Sequence, residues 1–354
     1  MKILDRLIRR TIILSTLSVN AVIIALQSFL SLVQQFNFLG QHGYSLWNIL
    51  AFVPMQIPAQ FYQLFPMAGF LGALIGLGRL SMTSELIIMR ASGVSIMQIA
   101  WSVTKTALVM IIVVTAIGEG IGPLCQQKSA QMQQAALSSS THASLLKSVW
   151  LHQGNSFTHI GALKDHDTMI DITRYRFTRN DRLDQATSAV SGRLMDHRWT
   201  LSHLKQTIFL KNHIAIVTQQ HAALHATFQP VLQMQMAVAS AEQTIIALYQ
   251  TIQYRHSIGL SVNQYIFSFW QRMMQPITSL VMICLAVPFV FGSLRSASMG
   301  LRILLGVLIG FSFYMLNQLF GPITLVYQFP PFLAAIIPTA LFFLIALVLL
   351  MRAR

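Results

Sequence analysis

Apolar residues gather in six long blocks, at 11–35, 52–80, 98–124, 265–291, 303–326 and 332–351. About 20 mostly apolar residues carry a helix across about 30 Å of hydrocarbon, so each block predicts a transmembrane helix. Between the third and fourth lies a polar stretch of about 140 residues, the size of one ordinary domain. Its first part, to about 136, is Gln-rich and predicts an outward extension of the third helix. Short segments with alternating apolar and polar positions follow at 148–152, 156–160, 169–177, 199–204 and 213–218. Turn signals separate them, at Gln153-Gly-Asn155, Arg179-Asn-Asp181 and Lys211-Asn212. Period two with regular breaks reads as an antiparallel β-sandwich or jelly roll. Residues 242–254 predict a short amphipathic helix leading back to the membrane. The expected fold is an α-helical membrane protein of six transmembrane helices with an all-β domain inserted between helices 3 and 4. Its parts are 1–125, 126–262 and 263–354.

Composition agrees with that pattern: 54% of the 354 residues are hydrophobic and 10% charged, against about 25% charged in soluble domains. The net charge of +14 would fit a nucleic-acid binder, but the positions of the charges exclude one. No Lys, Arg, Asp or Glu occurs from Thr11 to Gly78. The cations instead mark an orientation, because Lys and Arg stay on the cytoplasmic side of short loops. Lys2, Arg6, Arg9 and Arg10 precede the first span, Arg79 and Arg90 follow the second, Arg295 and Arg302 join the fourth to the fifth, and Arg352 and Arg354 end the chain. Residues 36–51 and 327–331 carry no cation. Both termini are therefore expected in the cytoplasm and residues 126–262 outside. A cleaved signal peptide fits the start less well, since its apolar run outlasts the 7–15 residues of such segments.

Smaller features carry two readings each. Pro54, Pro58 and Pro66 should bend or break the outer half of the second span. Gly72 and Gly76, and likewise Gly306 and Gly310, allow close helix approach, either within one bundle or between subunits. Ten of eleven histidines fall in 126–262, but the spacings of His152, His159 and His166, and of His221 and His225, suit exposed strand positions better than zinc. Arg174, Arg176, Arg179 and Arg182 read as a solvated hairpin tip or as an anionic-lipid contact. Cys125 and Cys284 are expected to remain unlinked.

No phosphate-binding loop, H-E-x-x-H, G-x-S-x-G or Cys/His constellation is present, so no catalytic residue, metal or cofactor is assigned to this chain. Few ionisable residues enter the spans (Lys105, Glu119 and Arg272), which argues against an ion-coupled carrier. Motive force must then come from another protein. The loop at 79–93 suits that purpose. Ser81, Thr83 or Ser84 is placed to cap a short helix with Glu85 at its positive end, and Gly93 suits its last turn. Physical chemistry alone leaves a docking helix and a plain interfacial helix equally open.

The runs LGALIGLGRLSMTSELIIMRASGVS (71–95), AIGEGIGP (116–123), FGSLRSASMGLR (291–302) and NQLFGPITLVYQFPP (317–331) resemble the YjgP/YjgQ (LptF/LptG) permease family, and its LptG branch more than its LptF branch. The resemblance spans all six helices and is weakest in the β-domain. It implies a half-transporter of the Gram-negative inner membrane that moves lipopolysaccharide outward. Its partners would be an LptF-like permease, two copies of an LptB-like ATPase that hold ATP and Mg, and the LptC-like and LptA-like bridge proteins. It also implies a β-jelly roll on the periplasmic side. The family's coupling helix falls at about 81–93, with Ser84, Glu85 and Arg90 as polar contacts and Leu86 and Met89 as apolar ones. A substrate cavity lined by spans one and five, with neighbouring cations, would draw on Ser31, Gln34, Phe311, Asn317, Arg272 and Arg302. Relatives often carry a Lys and an Asp at the outer end of span one, where this chain has Ser31-Leu-Val-Gln-Gln-Phe36. The two remaining readings are the LptF position and a scaffold that transports nothing.

Overall fold

The computed structural model describes residues 2–40, 45–137, 149–153, 155–164, 168–178, 182–195, 198–209, 214–224, 243–257, 261–292 and 298–352. Six helices in it are long and apolar enough to cross a membrane. The first span is α1 (Lys2–Phe36) and the second α2 (Leu46–Met82). A short α3 (Glu85–Ala91) leads into the third, which combines α4 (Ile96–Ala116), a π-helical turn (Ile117–Ile121) and α5 (Gly122–Leu137). After the β-domain come α6 (Ile245–Ser257), α7 (Asn263–Phe291), α8 (Met299–Val326) and α9 (Pro331–Arg352). The apolar blocks thus locate every span, and the helices outrun them by a turn or more at several ends.

The most buried spans, α2 and α7, form the centre, while α1 and α8 leave most of their surface open. Phe70 of α2 meets Phe289 of α7 edge-on at 6.1 Å, and Phe313 of α8 meets Phe342 of α9 at 5.1 Å. The crossing of α1 and α2 is closest at Gly72, where an added methyl group would overlap the Thr16 backbone. Gly306 and Gly310 likewise face Leu71, Leu74 and Met67 of α2. Both glycine steps therefore pack the chain against itself. The open face of α1 is apolar (Leu14, Val22, Leu26, Phe29), whereas its inward stripe carries buried Thr16, Asn20, Ser31 and Gln35. That inversion of the soluble pattern is the arrangement a lipid solvent selects.

The three prolines do not break α2, which is continuous over Leu46–Met82. One side chain of α7, Gln275, fills in for part of what the prolines remove.

Among the described residues the insert forms one antiparallel sheet in sequential order: β1 (Val149–Gln153), β2 (Ser156–Lys164), β3 (Thr168–Phe177), β4 (Leu183–Met195), β5 (Arg198–Phe209) and β6 (Ile214–Leu224). A row without ladder pairing crosses it through Asp171, Val190 and His203, and Asp171 and His203 both have φ 53°. Burial changes parity there: Met169 and Ile172 are both buried, as are Leu201 and Leu204, although each pair is three residues apart. The sheet is therefore creased, with one apolar lining carried across the crease. The expected turns at Arg179–Asp181 and Lys211–Asn212, together with His166 and His225, lie outside the described residues.

Candidate functional site

Pro66 has no N–H, so the helix has no donor for the carbonyl of Tyr62 four residues earlier. Nε2 of Gln275, on α7, donates to that carbonyl at 3.0 Å and to that of Gln63 at 3.4 Å. The same defect occurs in reverse on α7. Pro276 orphans the carbonyl of Arg272, and the Tyr62 hydroxyl donates to it at 3.5 Å. Each helix thus supplies a donor missing from the other. A buried carbonyl left unpaired costs about 1–3 kcal/mol, so this exchange favours one register of α2 against α7.

The π-helical turn lies against the same place. Gly118 faces Tyr62 so closely that a methyl group would overlap its ring. The turn presents Glu119, whose Oε1 accepts from Nη1 of Arg272 at 3.0 Å while Oε2 accepts from the backbone N–H of Ile245 at 3.2 Å. Ile245 opens α6, where Thr244 Oγ1 also accepts from the N–H of Ala247. One carboxylate therefore joins the third span, α7 and the helix that follows the β-domain. Both partners of the ion pair are largely shielded, at 12% exposure for Arg272 and 20% for Glu119. The motif AIGEGIGP owes its glycine and its acid to this junction.

Beside the junction opens a cleft of about 110 Å³ between α2, α5, α7 and α8. Carboxamides dominate its wall: Gln63, Gln126, Gln271, Gln275, Asn317 and Gln318, with Tyr62, Tyr314, Ser268 and Arg272. Ala59, Pro66, Met67 and Phe313 supply its apolar part. Of the expected cavity residues, Arg272 and Asn317 meet here.

The other four stand elsewhere. Ser31 is buried against α2, with Gln60 Nε2 donating to it at 3.5 Å, and Gln34 is exposed on another side of α1. Phe311 is half exposed; six residues before Asn317, it sits about 120° away around α8. Arg302 is buried, and its Nη1 donates to the Gly78 carbonyl at 3.0 Å. It lies 15 residues, about 22 Å of helix, from Asn317. Its guanidinium ties α8 to α2 at the far end of the bundle, away from the cleft that Asn317 lines.

At that same end, α3 is only seven residues long. Ser84 precedes it in the left-handed region (φ 60°), and its side chain accepts no capping bond, so the expected hydroxyl cap is absent. Thr83 Oγ1 instead approaches the Arg79 carbonyl at 3.2 Å and Glu85 Oε1 at 2.9 Å. The C-terminal end matches expectation. Gly93 (φ 91°) donates to the Arg90 carbonyl and Val94 to that of Met89, the paired bonds of a Schellman turn. Leu86 and Met89 are 2% and 3% exposed within the central core, so they anchor α3 to its own bundle and do not face outward. The outward apolar pair is Ile87 and Ile88, at 60% and 65%, with Arg90 exposed beside them and Glu85 partly so. A three- to four-residue spacing marks the anchors on a helix, and that signal alone does not say which side of the loop carries the bundle.

In the β-domain, Arg174 Nη2 donates to Ser156 Oγ at 3.2 Å, and Arg176 pairs with Asp184 at 3.0 Å. Burial on the sheet, then the charge of Arg176, lowers the Arg174 pKa from its ordinary value. Among the described residues no three His, Cys, Asp or Glu side chains converge as a metal site would require.

Comparison with known proteins covers the whole assembly of spans, junction and short helix. The family described as lipopolysaccharide export system permease LptF/LptG matches residues 6–352. Lipopolysaccharide export system permease protein LptG of Escherichia coli K12 is 34% identical over 354 residues, covering 99% of this chain and 98% of its own. The protein of the same name from Haemophilus influenzae is 31% identical, covering 99% of both. With its six spans and this full-length match, the chain belongs to the lipopolysaccharide export system permease LptF/LptG family.

Proposed function

We propose that this chain is the LptG-position half of a two-permease exporter, paired with an LptF-like chain. In this reading the exporter lifts lipopolysaccharide from the inner membrane to LptC-like and LptA-like bridge proteins. The full-length match to permeases named for lipopolysaccharide export carries the proposal. In this reading both termini and α3 lie in the cytoplasm and residues 126–262 in the periplasm, an orientation that the excess of Lys and Arg at one set of span ends supports. The sequence has no G-x-x-x-x-G-K-[ST] phosphate loop, so in this reading an LptB-like ATPase dimer would hold ATP and Mg.

The mechanism follows from which parts are fixed to which. Ile87 and Ile88 are the surface for the ATPase to grip, with Glu85 and Arg90 as polar contacts at the rim. Leu86 and Met89 lock α3 into the core it shares with α2, α4 and α7, so closure of the ATPases displaces the bundle along with the short helix. Gln275 and Tyr62 hold α2 to α7, and Glu119 passes that position on to α6. One continuous set of packed groups thus links the cytoplasmic grip to the helix behind the β-domain.

Purification of the chain from its native membrane in mild detergent tests the assignment. The expected result is recovery of an ATPase and a second six-span permease. Recovery with periplasmic proteins alone would replace the exporter with a scaffold.

A further inference from the structure

Along α4 the positions Met97, Trp101, Lys105, Leu108 and Ile112 recur every three or four residues, and all are exposed. Ile99, Val103, Ala107 and Met110, on the opposite side, are buried. The exposed stripe is apolar apart from its single cation. Thr104, beside Lys105, meets Cys284 of α7 at 3.4 Å, seven residues before that helix ends at Phe291. Lys105 therefore stands about two turns inside the bundle from its α3 end. The next charged residue of the third span, Glu119, is about 21 Å further along.

A cation turned toward lipid at that depth is costly unless it reaches the headgroups or an opposite charge. Among the described residues the ion pairs are Arg176–Asp184 and Arg272–Glu119, and Lys105 joins neither. Its Nζ lies 5.6 Å from the centre of the Trp101 ring, one turn nearer the α3 end. Helical side chains lean toward the N-terminus, which on α4 is that same end, so the contact holds the ammonium toward the membrane surface. Trp101 is 60% exposed, and its indole carries an N–H and no acceptor. The pair thus offers donors and positive charge alone. A matching occupant supplies acceptors and negative charge, and brings no ammonium of its own.

We propose that Trp101 and Lys105 form a binding site for an anionic phospholipid such as phosphatidylglycerol, in the leaflet at the α3 end of the bundle. The phosphate diester accepts from Lys105 Nζ and from the Trp101 N–H, and the acyl chains run along Leu108 and Ile112. Phosphatidylethanolamine fits less well, because its own ammonium is repelled by Lys105. The occupant is a resident of the bilayer and not cargo, and α4 takes no part in the cleft described above. The inference therefore goes beyond the proposed function and does not rest on it.

A photo-crosslinking amino acid at Met97, one turn before Trp101 on the same stripe, tests this. The full-length chain, in the complex in which it purifies, is placed in nanodiscs of equal parts phosphatidylglycerol and phosphatidylethanolamine. Mass spectrometry identifies the adducts. Phosphatidylglycerol adducts should outnumber those of phosphatidylethanolamine about fivefold, the scale of one cation at an anionic membrane surface. Lys105→Leu should bring the two to parity, Lys105→Arg should keep the preference, and Trp101→Leu should reduce it. Parity in the parent, an undiminished preference in Lys105→Leu, or indifference to Trp101→Leu each overturns the proposal. So does an adduct with another protein chain, which would make the stripe a protein interface. Nanodiscs expose both leaflets, and neither ATP nor lipopolysaccharide enters the assay, so these outcomes judge the lipid site and leave the export reading to its own test.

Discussion

The side-chain amide of Gln275 donates at 3.0 Å to the carbonyl of Tyr62, the one carbonyl that Pro66 deprives of its helical partner. An interior proline costs a helix about 3 kcal/mol or more in isolation, and α2 contains three without a break. Compensation from a neighbouring helix is how membrane helices tolerate such residues.

Gln275→Leu should therefore lower the melting temperature of the detergent-purified chain, through a loss of about 1–3 kcal/mol for one unpaired buried carbonyl. Adding Pro66→Ala returns an N–H to position 66 and should recover most of the loss. A double variant that melts no higher than Gln275→Leu would sever the link between the two residues.

Gly118 and Gly120 sit two residues apart in the π-helical turn with opposite surroundings. A methyl group at 118 meets the Tyr62 ring, whereas nothing lies within 4 Å of one at 120. Gly118→Ala should strongly reduce the yield of folded protein and Gly120→Ala should not. Equal yields, measured by size-exclusion profile after extraction, would contradict the packing described.

Glu119 makes two different bonds, and a charge reversal separates them. Glu119→Ala should cost about 1.5–3 kcal/mol, the range for hydrogen bonds to charged groups. The pair Glu119→Arg with Arg272→Glu restores the ion pair but places no acceptor before Ile245. Thermal stability should recover in part, while amide exchange at the start of α6 stays faster than in the parent. Unchanged exchange at Ile245–Leu248 in every variant would mean that the carboxylate does not hold α6.

The short helix has two faces that should fail differently. Leu86→Asp puts a charge into the core and should abolish folding. Ile87→Asp with Ile88→Asp should leave the melting temperature within about 1 °C, as surface substitutions do, yet lose the ATPase on purification. Retention of the ATPase by the Ile87/Ile88 variant would move the docking surface elsewhere.

The six spans could be read because a hydrocarbon solvent imposes a long uniform pattern, and Gly72 and Gly76 announced a close crossing. Strand β4 was missed. Its run LDQATSAVSGRLM alternates small and polar residues, and its identity comes from pairing with β3 and β5 along its length and not from its own pattern. The orientation of α3 is not legible in the sequence, because Leu86 and Met89 share a stripe that fits a partner's groove and the chain's own core equally well. Nor did the sequence disclose the exchange between Tyr62 and Gln275, since no local rule connects residues more than 200 positions apart. Pro66 and Pro276 were the only visible hints, each marking a carbonyl that some other group had to satisfy.

The most direct test of the central claim is ATP-driven release of lipopolysaccharide from proteoliposomes. These would carry the purified complex, with either the parent chain or its Glu85→Lys variant. The parent should release lipopolysaccharide to an added periplasmic acceptor only with ATP. The variant should insert and fold normally but release none, because a reversed charge beside Ile87 and Ile88 disrupts the grip on α3. Release by the variant at the parent's rate would contradict the coupling assigned to this helix.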